Sequence, residues 1–221
     1  MFFILTVVGC TKSESQSGEE ALYMSKFMPK RNGTFVEIGA FDGHRSSNTR
    51  VLNKCHGWNG LLIEANVQNH EMLLKKLDRP RVKVIHSAVC EPPQTWVNFI
   101  TNGGAVSVDT SRVSNHFQKK WSKYNHPHNT TRVPCAPMSN LLHGYEHIDF
   151  FSLDVEGSEF TVIATIDFEN VSIDTFCIEF DRHDPPKEAS ITKVLKQKGY
   201  ARCKLHDTRN AWFRKNCTIF H

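Results

Sequence analysis

The sequence predicts an α/β fold: a doubly wound sheet of about seven strands, mostly parallel, with the last strand reversed. Three observations lead there. Apolar, β-rich runs alternate with segments of helical period along most of the chain. Those runs are continuously apolar, as strands buried on both faces are, and do not alternate apolar with polar. The chain also closes on two β-rich runs, "YARCKLH" and "AWFRKNCTIF", separated by "DTRN", which read as an antiparallel hairpin. At 221 residues the chain fits one domain with a single sizeable core.

Taken in order, "TFVEIG" (34–39) is the first buried strand. "SSNTRVLNKCHG" (46–57) follows as a helix, with a serine as its cap and Gly57 as its stop. "GLLIEA" (60–65) is the second strand, and "VQNHEMLLKKL" (67–77) a helix with Val67, Met72, Leu73 and Leu77 near one face. "VKVIHSAVC" (82–90) is the third strand. A less regular middle holds a strand-like "TWVNFIT" and a polar, His- and Asn-rich insert from Asp109 to Arg132. So few aliphatic residues cannot form core, and the insert reads as a lid, an acceptor-binding loop or a solvated excursion. The rhythm resumes with a strand and turn in "IDFFSLDVEG" (148–157), a helix in "SEFTVIATI" (158–166), a strand in "TFCIEFD" (175–181) and a helix in "PKEASITKVLKQKG" (186–199).

The N-terminus divides off by composition. "MFFILTVVGC" is too short to span a bilayer, which takes about 20 apolar residues, and it lacks the basic start of a signal peptide. A lipoprotein-like cleavage site, the tail of an anchor or signal, and a short buried or frayed strand all remain open. Residues 1–20 are thus expected to be an apolar start and polar linker, and 21–221 the domain. The balance of 27 basic and 23 acidic residues, with no basic stripe, argues against a nucleic-acid partner. Seven cysteines without a C-x-x-C pair argue against a zinc ribbon or thioredoxin-like motif. With sequons at Asn32, Asn129, Asn170 and Asn216, they tilt the expectation towards an oxidising, secretory compartment, against a cytoplasmic alternative. Cys203 and Cys217 could face each other across the final hairpin. Trp58, Trp96 and Trp212 read as core or rim residues; Trp121 lies in the polar insert.

In an open parallel sheet, ligands bind beyond the carboxyl ends of the strands. "FVEIGAFDGHRSSNT" (35–49) lies at such an end, with Glu37 and Ile38 closing the first strand before Gly39, Ala40, Asp42 and Gly43. The G-x-x-x-G spacing is not that of dinucleotide binders, and the absence of a Lys-Ser/Thr pair excludes a phosphate-gripping P-loop. Flanked by Glu37 and Asp42, the loop is acidic; it would repel a pyrophosphate and favour a positively charged ligand such as S-adenosylmethionine. Glu64 closes the second strand about 20 residues on, where a carboxylate accepts both hydroxyls of a ribose. "SLDVEGSE" (152–159) then brings Asp154 and Glu156 to the end of the fourth strand. Helix capping could account for one of these two acids but hardly both.

"FVEIGAFDGHRSSNT", "GWNGLLIEANVQNHEML", "SAVC", "VPCAPM" and "IDFFSLDVEGSEF", in this order, resemble the FkbM-type S-adenosylmethionine-dependent methyltransferases, most nearly their animal, secretory-pathway branch. The resemblance covers roughly residues 33 to 203, and D-V-E-G-x-E is its most specific piece. It implies a class I methyltransferase (Rossmann-like) fold and O-methylation of a sugar, glycan or small natural product. It also implies that Glu37, Gly39, Asp42 and Gly43, with Ala40, form the methionine-side loop. Glu64 would lie at the ribose, Ser87 and Ala88 at the adenine, Ala65 among the cofactor-binding residues, and Asp154 and Glu156 in the fourth-strand signature. A disulfide between Cys90 and Cys135 is implied in the same way.

Methyl transfer to a hydroxyl needs a group that takes the proton. Asp154 is named first for its strand-end position, then Glu156 and the "EFDRHD" cluster of Glu179, Asp181, His183 and Asp184. His183 has the residue type suited to a base near neutrality. Two acids do not define a divalent-metal site, and none is assigned. The competing reading is a non-catalytic secreted or membrane-tethered module that retains the fold.

Overall fold

The computed structural model describes residues 13–27, 31–100, 130–180, 184–205 and 209–217. The apolar start, the body of the polar insert with Trp121, and Asp181 and His183 lie outside the described residues.

Seven strands form the main sheet: β1 (Thr34–Ile38), β2 (Asn59–Glu64), β3 (Val82–His86), β7 (His147–Leu153), β8 (Ser172–Glu179), β9 (Ala201–Arg202) and β10 (Asn210–Arg214). Their order is β3-β2-β1-β7-β8-β10-β9. β1 pairs in parallel with β2 and β7, β2 with β3, and β7 with β8, whereas β10 runs antiparallel to both β8 and β9. The expected parallel sheet with a reversed final strand is thus present. The order of the chain reverses between β1 and β7, which opens a crevice at their carboxyl ends.

Because successive side chains of a strand point to opposite faces, each strand feeds two cores. On one face Val36, Ile38, Leu61, Ile63 and Phe151 pack with helices α4 (Met138–Leu141), α5 (Glu159–Ala164) and α6 (Pro185–Gln197). On the other, Phe35, Leu62, Phe150 and Trp212 pack with α1 (Glu19–Phe27), α2 (Arg50–His56) and α3 (Val67–Lys76). Gly60 is required here, since a Cβ at this position would sit 2.1 Å from the ring of Phe35.

Three local expectations are revised. The third apolar run breaks at Ser87: β3 ends at His86, and β4 (Ala88–Val89) leaves the main sheet to pair with β6 (Thr130–Ala136). β6 also pairs antiparallel with β5 (Trp96–Ile100), so residues 130–132 are strand and not part of the insert; their threonines suit a pleated surface. Helix α2 starts at Arg50, and no serine caps it: Ser46 has φ +60°, and the Ser47 and Thr49 hydroxyls turn to Glu37 instead. Gly57 ends that helix in the left-handed conformation, as its position suggests.

Residues 13–20, expected as linker, pack on the domain. Glu14 pairs with Arg50, Ser15 bridges to Ser46, and Glu19 and Glu20 are buried. Disulfides join Cys90 to Cys135 and Cys203 to Cys217, and Cys177 is buried. No helix among the described residues is long and apolar enough to cross a membrane.

Candidate active site

The carboxyl ends of β1, β2 and β7, with Ser87, Ala88 and Val89, surround a cavity of about 360 Å³, in the range of small-molecule sites. Gly39 makes the convergence of strands sterically feasible. Its φ is +81°, and a Cβ there would sit 1.8 Å from the Asp154 carbonyl oxygen. The turn after β1 can therefore lie against the end of β7 only with glycine in place. Backbone bonds from Gly39 N to Ile63 O and from Asp154 N to Ile38 O lock the three strand ends together.

Glu64 ends β2 on the cavity wall and is only 6% exposed. One carboxyl oxygen accepts from Phe41 N and the other from Asn66 N, both at 2.7 Å. Burial nevertheless dominates and pushes its pKa up to about 7, against the opposing pull of those bonds and of Asn69. Asn66 in turn caps α3 by accepting from Gln68 N and Asn69 N, which fixes the turn that holds Glu64. Ala65 lines the cavity beside it. So do Ser87 and Ala88, and the Ser87 hydroxyl donates to the Ala88 carbonyl at 2.7 Å.

Across the cavity stand Asp154 and Glu156. Asp154 lies half-buried on the wall, and burial together with Glu179, Glu156 and Glu159 holds its carboxyl well above the usual range. It also shares a hydrogen bond with Glu179 at the end of β8, so this carboxyl pair retains a proton that an isolated aspartate would lose. Neither Asp154 nor Glu156 caps a helix: α5 starts later, behind Ser158, and Glu159 accepts from Gly157 N. Glu156 has φ +51°, an uncommon conformation for a non-glycine residue at a cavity wall.

The "EFDRHD" cluster divides. Glu179 reaches the cavity acids, while Asp184 caps α6 by accepting from Lys187 N and forms an ion pair with Lys187. His183 lies outside the described residues.

Three residues expected in the ligand loop are not on the cavity wall: Glu37, Asp42 and Gly43. Strand alternation explains Glu37, which shares the α2 side of β1 with Phe35, while Ile38 reaches the cavity. Buried there, Glu37 accepts from Ser47 Oγ, Asn48 N and Thr49 Oγ1, and lies 3.6 Å from Arg79. Arg79 is itself buried and donates to the same two hydroxyls, so Ser47 and Thr49 relay between acid and base. Asp42 accepts from His44 N and Arg45 N and pairs with Lys76 at 2.7 Å. Burial opposes its ionisation, yet these partners outweigh burial and hold the carboxyl below its usual value. Gly43 turns at φ +68° over Leu73. The acidity inferred for this loop is therefore compensated by Arg79 and Lys76. The acidic side chains that face the cavity are Glu64, Asp154 and Glu156 instead, with Glu179 bonded to Asp154.

Sequence reasoning missed Gln16, Phe41, Arg45, Asn69 and Phe99, which also line the cavity. Asn69 had a signal, lying one helical turn beyond the Asn66 cap. Gln16 had none, because it arrives from a segment that reads as polar linker.

The model of the methyltransferase FkbM domain matches residues 37–202. Among solved structures, methyltransferase FkbM from Methylobacillus flagellatus superposes with a TM-score of 0.53 at 13% identity, over 89% of this chain and 47% of that one. The chain thus spans about half the length of that relative. A TehB-like SAM-dependent methyltransferase from Corynebacterium glutamicum aligns over 91% of this chain and 89% of its own at 11% identity, with a TM-score of 0.48. Fibrillarin from Aeropyrum pernix, solved with natively bound S-adenosyl-L-methionine, aligns over 83% and 66% at 12% identity and a TM-score of 0.46. No curated protein matches the chain. With a family model covering most of its length and ending within the final hairpin, the chain belongs to the FkbM methyltransferase family.

Proposed function

We propose that this chain is an S-adenosylmethionine-dependent O-methyltransferase acting on a hydroxyl of a sugar, glycan or small natural product. The observation that carries the reading is the buried Glu64 carboxyl at the end of β2, facing Asp154 and Glu156 across one cavity. The residues fit the cofactor. The bonds from Phe41 and Asn66 leave acceptor capacity on both oxygens of Glu64 for ribose hydroxyls. Gly39 and Ala40 allow close backbone approach on the methionine side, and Ala65, Ser87 and Ala88 line the region suited to the adenine. The acids across the cavity favour a ligand that carries positive charge.

When bound, the cofactor supplies a methyl group on a sulfonium, an electrophile for in-line displacement. The chain's part is to align the acceptor oxygen and hold its proton. Asp154 takes that role in our assignment, with Glu156 beside it and His183 as a further candidate. Burial and the bond to Glu179 make Asp154 a stronger base than an ordinary aspartate once its shared proton is displaced. The disulfides Cys90–Cys135 and Cys203–Cys217, and the exposed sequon asparagines Asn170 and Asn216, support placing the protein in an oxidising, secretory compartment.

Calorimetry with S-adenosylmethionine tests the cofactor assignment. Wild type should bind, and Glu64→Ala should weaken binding at least tenfold by removing the hydroxyl acceptor. Equal affinity in the two proteins would overturn it. Labelled methyl transfer to a panel of glycans and alcohols tests the reaction; binding without transfer to any hydroxyl would refute O-methylation.

A further inference from the structure

At the amino ends of two central strands, His147 and Asp149 of β7 meet Asp174 of β8. His147 Nε2 lies 3.3 Å from Asp149 Oδ1 and 3.6 Å from Asp174 Oδ2. His147 and Asp149 are two residues apart and so share a strand face, and the register Ile148↔Ile173, Phe150↔Thr175 brings Asp174 alongside Asp149. We propose that these three side chains form a surface site for a divalent transition ion, with zinc as its probe, clasping the amino ends of β7 and β8.

The spacing suits one ion. Bonds of about 2.0–2.1 Å in a tetrahedron separate neighbouring ligand atoms by about 3.3–3.4 Å, close to both measured distances. The ligand set, one imidazole and two carboxylates, is one that zinc accepts while leaving a fourth position to water.

The surroundings already orient the ligands. His147 Nδ1 lies 2.8 Å from Ser172 Oγ, and that hydroxyl has the Glu146 carbonyl as an acceptor at 3.3 Å. When Ser172 donates to Glu146, it accepts from Nδ1–H, and the Nε2 lone pair is left to face the two carboxylates. An ion satisfies that arrangement. Without one, a proton on Nε2 can take its place and be donated to Asp149 Oδ1 at 3.3 Å. Such outer hydrogen bonds fix the tautomer of metal-binding histidines. Asp149 is held by Thr34 N, which donates to its second oxygen at 2.8 Å, so Oδ1 is kept pointing at the cluster. His147 and Asp174 are partly exposed, with side chains 40% and 47% accessible, which gives the ion an entry path.

The site lies at the start of β7 and the methyl-transfer cavity beyond its end, roughly 20 Å away at about 3.3 Å per residue. The ion is therefore a clasp on the strand pair and takes no part in the proposed reaction.

Titration of the chelator-treated full chain with zinc chloride tests the proposal. Wild type should take up one equivalent at micromolar concentration. At a hundredfold excess over Kd, its thermal midpoint should rise by roughly 5–10 °C. His147→Ala and Asp174→Asn, both at accessible positions that fold without an ion, should each weaken binding at least tenfold and abolish the thermal shift. Uptake by His147→Ala equal to wild type would place the zinc on other histidines and overturn the proposal. So would the lack of stoichiometric uptake by wild type. Affinity for S-adenosylmethionine should be the same with and without zinc; a change would refute the separation of clasp and cavity.

Discussion

Raising the pH of the ligand-free protein from about 5 to about 8 carries Glu64 through its ionisation, and the structure states what that costs. In the unfolded chain the carboxyl ionises near its ordinary value of 4.5, whereas burial in the fold pushes it up to about 7. The folded state thus holds its proton more tightly than the unfolded state does. The resulting stability is fully present below 4.5 and is lost as pH rises through 7. At about 1.4 kcal/mol per pH unit, the loss approaches roughly 3 kcal/mol. Urea unfolding at several pH values, with disulfides intact, would measure it in wild type and in Glu64→Gln. The glutamine cannot ionise, so its curve should lack that fall whatever its absolute stability. Parallel curves for the two proteins across this window would refute the reasoning. A ligand whose hydroxyls donate to the Glu64 carboxylate should reverse the preference, binding more weakly below pH 7 by up to about tenfold per unit. Glu64→Gln should lose this dependence, leaving only the part owed to Asp154, whose carboxyl is held well above its usual range.

Gly39→Ala should cost more than about 3 kcal/mol or prevent soluble expression, since its Cβ would overlap the Asp154 carbonyl; a thermal midpoint near wild type would contradict the packing of β1 against β7. Arg79→Met should lose about 3–5 kcal/mol in urea unfolding by stranding buried Glu37. Adding Glu37→Gln should recover part of that loss, and strictly additive effects would count against the pairing. Tyr200→Phe should cost about 1 kcal/mol in the same assay, because its hydroxyl donates to the Ile173 carbonyl at 2.7 Å inside the core. Asp184→Ala should cost about 1 kcal/mol as a lost helix cap and leave cofactor affinity unchanged.

Alternation of apolar runs with helical segments determined the sheet and the crevice side, because burial on two faces imprints itself on every strand, and the two closing β-rich runs determined the reversed last strand. Local chemistry located Gly39, Glu64, Asp154 and Glu156 on that crevice, since strand ends and turn residues are contiguous in sequence. What sequence could not decide was where each carboxylate points and what compensates it. Glu37 and Asp42 read as ligand-facing acids, yet the pleat of β1 turns Glu37 towards Arg79, and α3 brings Lys76 to Asp42. Glu179 read as one of three acids in the cluster with His183, and only the pairing of β7 with β8 joins it to Asp154 while Asp184 goes to a helix cap. Gln16 and the clasp of His147, Asp149 and Asp174 were invisible for the same reason. Periodicity records which face of an element is buried, but charge pairing and cavity walls depend on elements distant in the chain, and only tertiary packing brings those together.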